Sequence, residues 1–400
     1  MQLVAYGAQD VYLTGNPKVT FFQAVYKRHT NFAMETIEQT VNGSATSGGR
    51  VSVTVARNGD LVGDMFIEAT TGENGGAANS NCWIAERIVA DVELSIGGQR
   101  IDKHYQKWWR LYSELYLEDG KKANWGKMTT MAGTTAGKVY LPLIFFFNRN
   151  PGLYLPLIAL QYHEVRLDID LSSEFAALFT SSLKVWANYV YLDTEERRRF
   201  AQKGHEYLIE QVQHTGVDTV TSDGTKQVRL SYNHPVKELV WCVANTAADA
   251  NVSAWNFTND ITPTLSLGAT DARPHLIGVP RVDGTSGDGW TEENAGPLST
   301  FKLILNGQDR FKEQPGKYFN QVQPYCHHSG SACPGIYSYS FALKPEEHQP
   351  TGTCNFSRID NAQAEVTTAN AATNTALNMF AVNYNVLRIQ SGMGGLAFSN

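Results

Sequence analysis

Cysteine is scarce in this chain. Five occur among 400 residues (Cys82, Cys242, Cys326, Cys333 and Cys354), an odd number at irregular spacing. That argues against a disulfide framework and fits synthesis in a reducing cytosol. Basic residues are in the minority: 33 Lys and Arg stand against 39 Asp and Glu, for a formal charge of −6. A nucleic-acid binder carries the opposite balance, so no direct nucleic-acid binding is expected. Long apolar runs are missing. The longest, Leu141 to Phe147, falls far short of the ~20 residues that a membrane-spanning helix needs. Met1-Gln2-Leu3-Val4-Ala5-Tyr6-Gly7 has no charged segment followed by an apolar one, so no signal peptide is read there. Catalytic signatures are missing too: there is no GxSxG, no P-loop and no GxGxxG between a strand and a helix. No cofactor is expected.

What is present is an apolar content of 42%. At ~150 residues per domain, a chain of this length holds two or three domains. Internal matches select two. Phe147, Pro151 and Pro156 share their spacing with Phe341, Pro345 and Pro350, 194 residues on (341 − 147). Ile37-Glu38-Gln39 recurs as Ile209-Glu210-Gln211, 172 on (209 − 37). The segment from Asn58 through Met65-Phe66-Ile67 aligns with Asn233 through Val240-Trp241-Cys242, 175 on (233 − 58). Ile96-Gly97-Gly98-Gln99 recurs as Leu305-Asn306-Gly307-Gln308, 209 on (305 − 96). Four matches in one order read as a tandem duplication. Each copy is far too long for a solenoid repeat, so each is a domain.

Asn16-Pro17 predicts a helix start, with Asn as the cap and Pro in the first turn. From Ala33 the period becomes two, and Val51-Ser52-Val53-Thr54-Val55 alternates cleanly. Strands are expected near 34–42, 51–56, 64–70, 89–96, 140–147, 157–161, 163–171 and 183–192. The second set falls near 207–214, 226–232, 237–244, 300–306, 336–343, 353–357, 362–368 and 377–389. Short strands broken by Gly, Asn and Pro mark a sandwich or barrel. His104 to Tyr116 has helical spacing, and the charged stretch Thr194 to His205 reads as a connector of one or two helical turns. The polar excursion from Asn245 to Pro297 is expected at one end of the second domain, matching a shorter loop around Thr70–Asn81.

Several residues mimic chemistry. Cys326-His327-His328 with Cys333 lacks the second ligand pair that zinc requires and reads as a polar loop. His163 and Glu164 fall on opposite strand faces. Asp168 and Asp170 share a face and read as solvated, as does Arg197-Arg198-Arg199 behind Glu195-Glu196. Trp108 reads as core, and Trp109 as an interface residue. Of four Asn-x-Ser/Thr sequons, Asn42 and Asn355 lie in or beside strands. Asn251 and Asn256, in the excursion, are the glycosylation candidates.

The opening Gln2-Leu3-Val4-Ala5-Tyr6-Gly7-Ala8-Gln9-Asp10-Val11-Tyr12-Leu13-Thr14-Gly15-Asn16-Pro17 resembles that of the major capsid proteins of large icosahedral DNA viruses, closest to those of chlorella viruses. So do Ile96 to Tyr105, Pro142 to Asn148, Leu155 to Val165, Leu305 to Arg310, Gly352 to Asn361 and Asn383 to Ala397. The resemblance covers nearly the whole chain. It implies an all-β double jelly roll, two tandem eight-stranded sandwiches, assembled as a homotrimer. The domains expected are an arm (1–30), a first roll (31–195), a linker (196–206) and a second roll (207–400). It implies a non-enzymatic capsomer of an icosahedral shell, made in the host cytoplasm and residing in the virion. Implied partners are two further copies, neighbouring capsomers, minor capsid proteins beneath the shell, and surface glycans. Trp109 and Tyr112 are the candidate contacts within the trimer or between rolls. A jelly roll also serves lectins, the rival reading. A glycosidase would need two facing carboxylates that the sequence does not nominate.

Overall fold

The structure is a computed structural model. It describes residues 7–71, 83–130, 137–173, 175, 179–220, 223–245, 296–330, 332, 335–369 and 375–398. The first half forms β1 (Phe32–Gln39), β2 (Val41–Asn42), β3 (Arg50–Thr54), β4 (Leu61–Thr71), β5 (Val89–Ile96), β6 (Gln99–Tyr105), β7 (Lys138–Pro142), β8 (Leu155–Pro156), β9 (Val165–Leu171) and β10 (Phe179–Leu192). One sheet runs β1-β10-β4-β7, with β8 on β4, and the other runs β2-β3-β9-β5-β6. Alternation sends Val51, Val53, Met65, Ile67, Val92, Leu94, Leu167, Ile169, Val185 and Ala187 into one core.

The second half forms β11 (His205–Val220), β12 (Gly224–Arg229), β13 (Pro235–Asn245), β14 (Leu298–Leu305), β15 (Gln308–Asp309), β16 (Gln314–Pro315), β17 (Ile336–Ser340), β18 (Cys354–Asn355), β19 (Ala362–Thr368), β20 (Thr375–Gln390) and β21 (Met393–Leu396). Its sheets run β11-β20-β13-β17, with β18 on β13 and β21 on β20, and β12-β19-β14-β15, with β16 on β14. The strand order repeats that of the first half, down to the short strand on β4 and on β13. Two sandwiches of this order in tandem make a double jelly roll. The core of the second holds Leu239, Trp241, Val243, Phe301, Phe319 and Tyr337, with Trp241 stacked on Phe301 at 4.4 Å.

The duplication is real, but three of the four sequence matches are out of register. The turn match holds: Ile96 pairs with Gln99 and Leu305 with Gln308, across turns whose central residues all have positive φ. In β4 and β13, Val62 pairs with Leu155 of β8 and Val236 with Cys354 of β18, so Val62 corresponds to Val236. Met65 and Ile67 then correspond to Leu239 and Trp241, one residue short of the sequence match. A slip of one residue would turn each interior side chain outward, and Val240 and Cys242 do face out of the second core. The Phe147–Phe341 match fails likewise. Leu143 N donates to Met65 O, so Leu143 corresponds to Tyr339, the partner of Leu239, and Phe145 to Phe341. Pro156, on β8, corresponds to Asn355 and not to Pro350. Ile37 pairs with Ala187 and Gln213 with Ala381, which makes Gln213, not Ile209, the counterpart of Ile37.

α-Helices precede and join the strands: α1 (Asp10–Thr14), α2 (Ile84–Ile88), α3 (Gln106–Leu115), α4 (Asp119–Thr129), α5 (Phe146–Arg149), α6 (Thr194–Gln202) and α7 (Gln323–His327). The helix expected from Asn16-Pro17 is absent. The helix there is α1, and Asn16 has φ of 52°, the left-handed region that stops a helix. Two expected strands also differ. The 140–147 strand ends at Pro142 and Phe146 begins α5, while at 157–161 only Leu155–Pro156 just before is strand. β6 has no counterpart among the expected strands, and its last residues, His104 and Tyr105, fall inside the segment with helical spacing. α6 is the charged connector, anchored by Arg197 at 2.9 Å from Asp60. The polar excursion and its first-roll counterpart leave from equivalent strand ends, Asn245 and Thr71. Most of both, and Asn251 and Asn256 with them, lie outside the described residues.

Candidate assembly interfaces

The outer face of sheet β11-β20-β13-β17 is covered by the first roll. Phe380 lies 5.7 Å from Trp108 on α3, 6.2 Å from Tyr105 on β6 and 4.5 Å from His214. Val240, Cys242, Ile336, Phe380 and Val382 belong to the same buried cluster as the first-roll core. β13 and β20 are therefore buried on both faces, which explains their nearly continuous apolar runs. Polar bonds fix the register of this seam. Val212 N donates to Asp102 Oδ1 at 3.0 Å, and the Gln211 side chain donates to Ile101 O. Leu396 N donates to Gln99 Oε1 at 3.2 Å, and Gly330 N to Leu115 O at 3.0 Å.

Ionised groups are buried along the seam. Glu210 stands 2.7 Å from Arg149 of α5 and 2.7 Å from Lys237. Burial alone would raise its carboxyl, but the two cations outweigh burial and hold it below the usual carboxylate range. Burial pushes Lys237 down to about 8 against the pull of Glu210. His328 lies 3.0 Å from Glu238 and 3.3 Å from Glu346, with its ring 5.1 Å from Tyr116 of the first roll. Burial would discharge it, and the two carboxylates overcome burial to raise it to about 9.

The corresponding face of the first roll is open. Phe66, Tyr140 and Trp186 form a partly exposed aromatic patch, with Phe66 5.9 Å from Tyr140 and 6.5 Å from Trp186. At its edge Phe32 and Met34 are 53% and 51% exposed.

The tryptophan that meets the second roll is Trp108. Trp109 is fully buried beside His104, whose ring is 6.2 Å away. Tyr112 lies at the seam, under the Arg149 guanidinium and stacked on Tyr116 at 4.9 Å. The structure does not make 326–328 a polar loop. It closes α7, and His328 is sequestered among carboxylates. Asp168 and Asp170 pair with Arg166 and Arg50. The His104–Asp102 pair, 3.0 Å apart, is buried in the seam. Sequence reasoning missed Arg149, Glu210, Lys237, Glu238 and Glu346. The available signal was a Lys-Glu pair, 237–238, inside an otherwise apolar strand.

A double jelly roll whose two sandwiches, each with its own core, meet in a buried seam defines a class, the double-jelly-roll proteins. Residues 20–193 match the family described as "Major capsid protein N-terminus", and residues 196–395 the "Large eukaryotic DNA virus major capsid protein". The chain is 47% identical to the major capsid protein of Paramecium bursaria Chlorella virus 1, over 100% of this chain and 99% of the relative. It is 42% identical to that of Pyramimonas orientalis virus, with the same coverage. The solved PBCV-1 virus capsid superposes with a TM-score of 0.83 at 42% identity, over 95% of this chain and 100% of that one. The Faustovirus major capsid protein, at 12% identity and a TM-score of 0.70 over 96% and 94%, shares the fold. The chain belongs to the major capsid proteins of large eukaryotic DNA viruses. It is a structural protein of the virion, and it builds the icosahedral capsid.

Proposed function

We propose that the protein works as a homotrimeric, pseudo-hexagonal capsomer. The observation that carries this reading is the repetition of one strand order in both halves of the chain. Each chain supplies two similar wedges, and three chains about a threefold axis supply six, which tile a flat facet. Closed cyclic symmetry avoids an open filament. Residues 1–30 act as an arm, 31–195 and 207–400 as the rolls, and 196–206 as the linker. Neighbouring capsomers, minor capsid proteins beneath the shell and glycans at Asn251 or Asn256 are the further partners. Synthesis is in the host cytoplasm. The protein is not an enzyme and takes no cofactor. Sedimentation tests the reading. The expected mass is three times 44.2 kDa, with interfaces burying more than ~2,000 Å². A stable monomer at micromolar concentration would overturn it.

A further inference from the structure

The strand ladders give each outer-face position of one roll a counterpart on the other. Phe66 lies four residues after Val62, as Val240 lies four after Val236. Trp186 pairs with Phe66, and Phe380 with Val240. Tyr140 pairs with Glu68, and Ile336 with Cys242, the position equivalent to Glu68. The aromatic patch Phe66–Tyr140–Trp186 therefore corresponds to Val240–Ile336–Phe380. The second trio is 0% exposed, sealed in the seam, while the first is left partly open within its own chain.

What covers the second-roll trio is β6 and the helix that follows it. Their counterpart in the second roll is β15 and the segment after it, a π-helical turn (Tyr318–Val322) leading into α7. That segment packs on its own roll through Phe319 and Asn320, which are buried. Its other side is bare: Val322 is 45% exposed, Tyr325 is 89% exposed, and the Cys326 thiol is exposed. Each chain thus holds one completed contact and the two unmatched halves of another of the same kind.

We infer that the 318–327 segment of one copy seats on the Phe66–Tyr140–Trp186 face of a second copy. This rests on the trimer reading and names its surfaces. The occupant is a second copy because the covering element is the structural counterpart of the one that covers the equivalent face inside the chain. Its contact chemistry is similar, an aromatic and aliphatic helix on an aromatic patch bordered by the Glu68–Lys138 and Glu38–Lys184 pairs. The contact is head to tail, the type that forms a closed ring of three under the trimer reading. Exposed Phe32 and Met34 extend the seat along β1, and the exposed Glu38–Lys184 pair lies at its rim.

The native Cys326 provides a direct test. Lys184→Cys places a thiol beside Trp186 on the open face. Treatment of the full-length particle with a short bis-maleimide should link neighbouring chains, giving dimers and trimers under denaturing conditions. The links should vanish in a Lys184→Cys, Cys326→Ser variant. The Trp186 indole N–H donates to Glu68 Oε2 at 3.0 Å, so Trp186→Lys leaves Glu68 a partner; it should lower the mass from three chains to one while far-ultraviolet circular dichroism stays native. A wild-type mass of three chains, with no Cys326-dependent link and an unchanged mass in Trp186→Lys, would overturn the inference and leave the trimer standing. A wild-type mass of one chain would overturn both.

Discussion

One sheet face occurs twice in this molecule, and the two copies are furnished differently. On the covered face stand Glu210, Lys237 and Glu238, all 5% exposed or less. The ladders make Met34, Gly63 and Asp64 their counterparts on the open face. Met34 pairs with Val190 as Glu210 does with Tyr384. A side chain cannot simply be exchanged in. A Cβ on Gly63 would run into the Tyr154 ring. The difference has a physical reason. The covered face forms once, as the chain folds, and its charges are desolvated together with their partners. A face that exists both exposed and covered would have to desolvate such charges at each association, a cost that attraction often fails to recover. The open face instead sets neutral aromatics beside pairs that keep a partner in water, Lys138 with Glu68 and Lys184 with Glu38.

The largest expected effect removes the apolar centre of the covered face. Phe380→Ala should cost about 3–5 kcal/mol, the range for a fully buried aromatic, measured by denaturant unfolding. Trp186→Ala, its counterpart, should cost far less in the dissociated chain. Equal losses would erase the distinction between the faces.

Charge comes next. Glu210→Gln leaves Arg149 and Lys237 without their carboxylate and should cost about 3 kcal/mol, as breaking a buried pair does. Asp64→Asn on the open face should cost no more than about 1 kcal/mol. A near-neutral Glu210→Gln would show that the seam does not depend on its ions.

A pH series sharpens the same point. His328 is held at about 9 in the fold, against ~6.5 when unfolded. Its stabilising contribution is therefore complete below ~6.5 and is lost as pH rises toward about 9. Lys237 acts in the opposite sense. Its folded value near 8 lies below the unfolded ~10.4, so its cost is complete below about 8 and is relieved as pH rises above that. The difference between wild type and His328→Gln isolates the histidine, and it should shrink between pH 6.5 and 9. A constant difference would mean that His328 is neutral in the fold.

The smallest effect lies at the rim of the open face. Lys184→Ala breaks an exposed pair with Glu38, 3.0 Å apart, and should change chain stability by about 0.2–1 kcal/mol. A larger loss, seen only in the assembled particle, would place the rim inside the contact.

Local pattern was enough to place most of the strands. The alternation of Val51 to Val55 and the apolar runs of β13 and β20 are local properties of residues that pleat with period two. The two-residue turns Gly97-Gly98 and Asn306-Gly307 matched to the residue, because a turn with two positive φ angles admits few residue types. The duplication, the all-β class and the family resemblance were legible on the same basis. Register was not. Met65 lies opposite Ala187, and Leu239 opposite Ala381, across more than a hundred residues of chain. An interior face is chosen by what packs there, which no local window contains. The same limit assigned the interface role to Trp109. Helical spacing puts both tryptophans near one face of α3, and only the second roll's Phe380 decides that Trp108 touches it. Whether a buried Lys-Glu pair in a strand finds Glu210 and His328, or is left unpaired, is likewise settled where two rolls meet. The ionic seam and the open aromatic face are therefore products of tertiary structure, since burial, and with it the meaning of a charge, is a property of the packed chain.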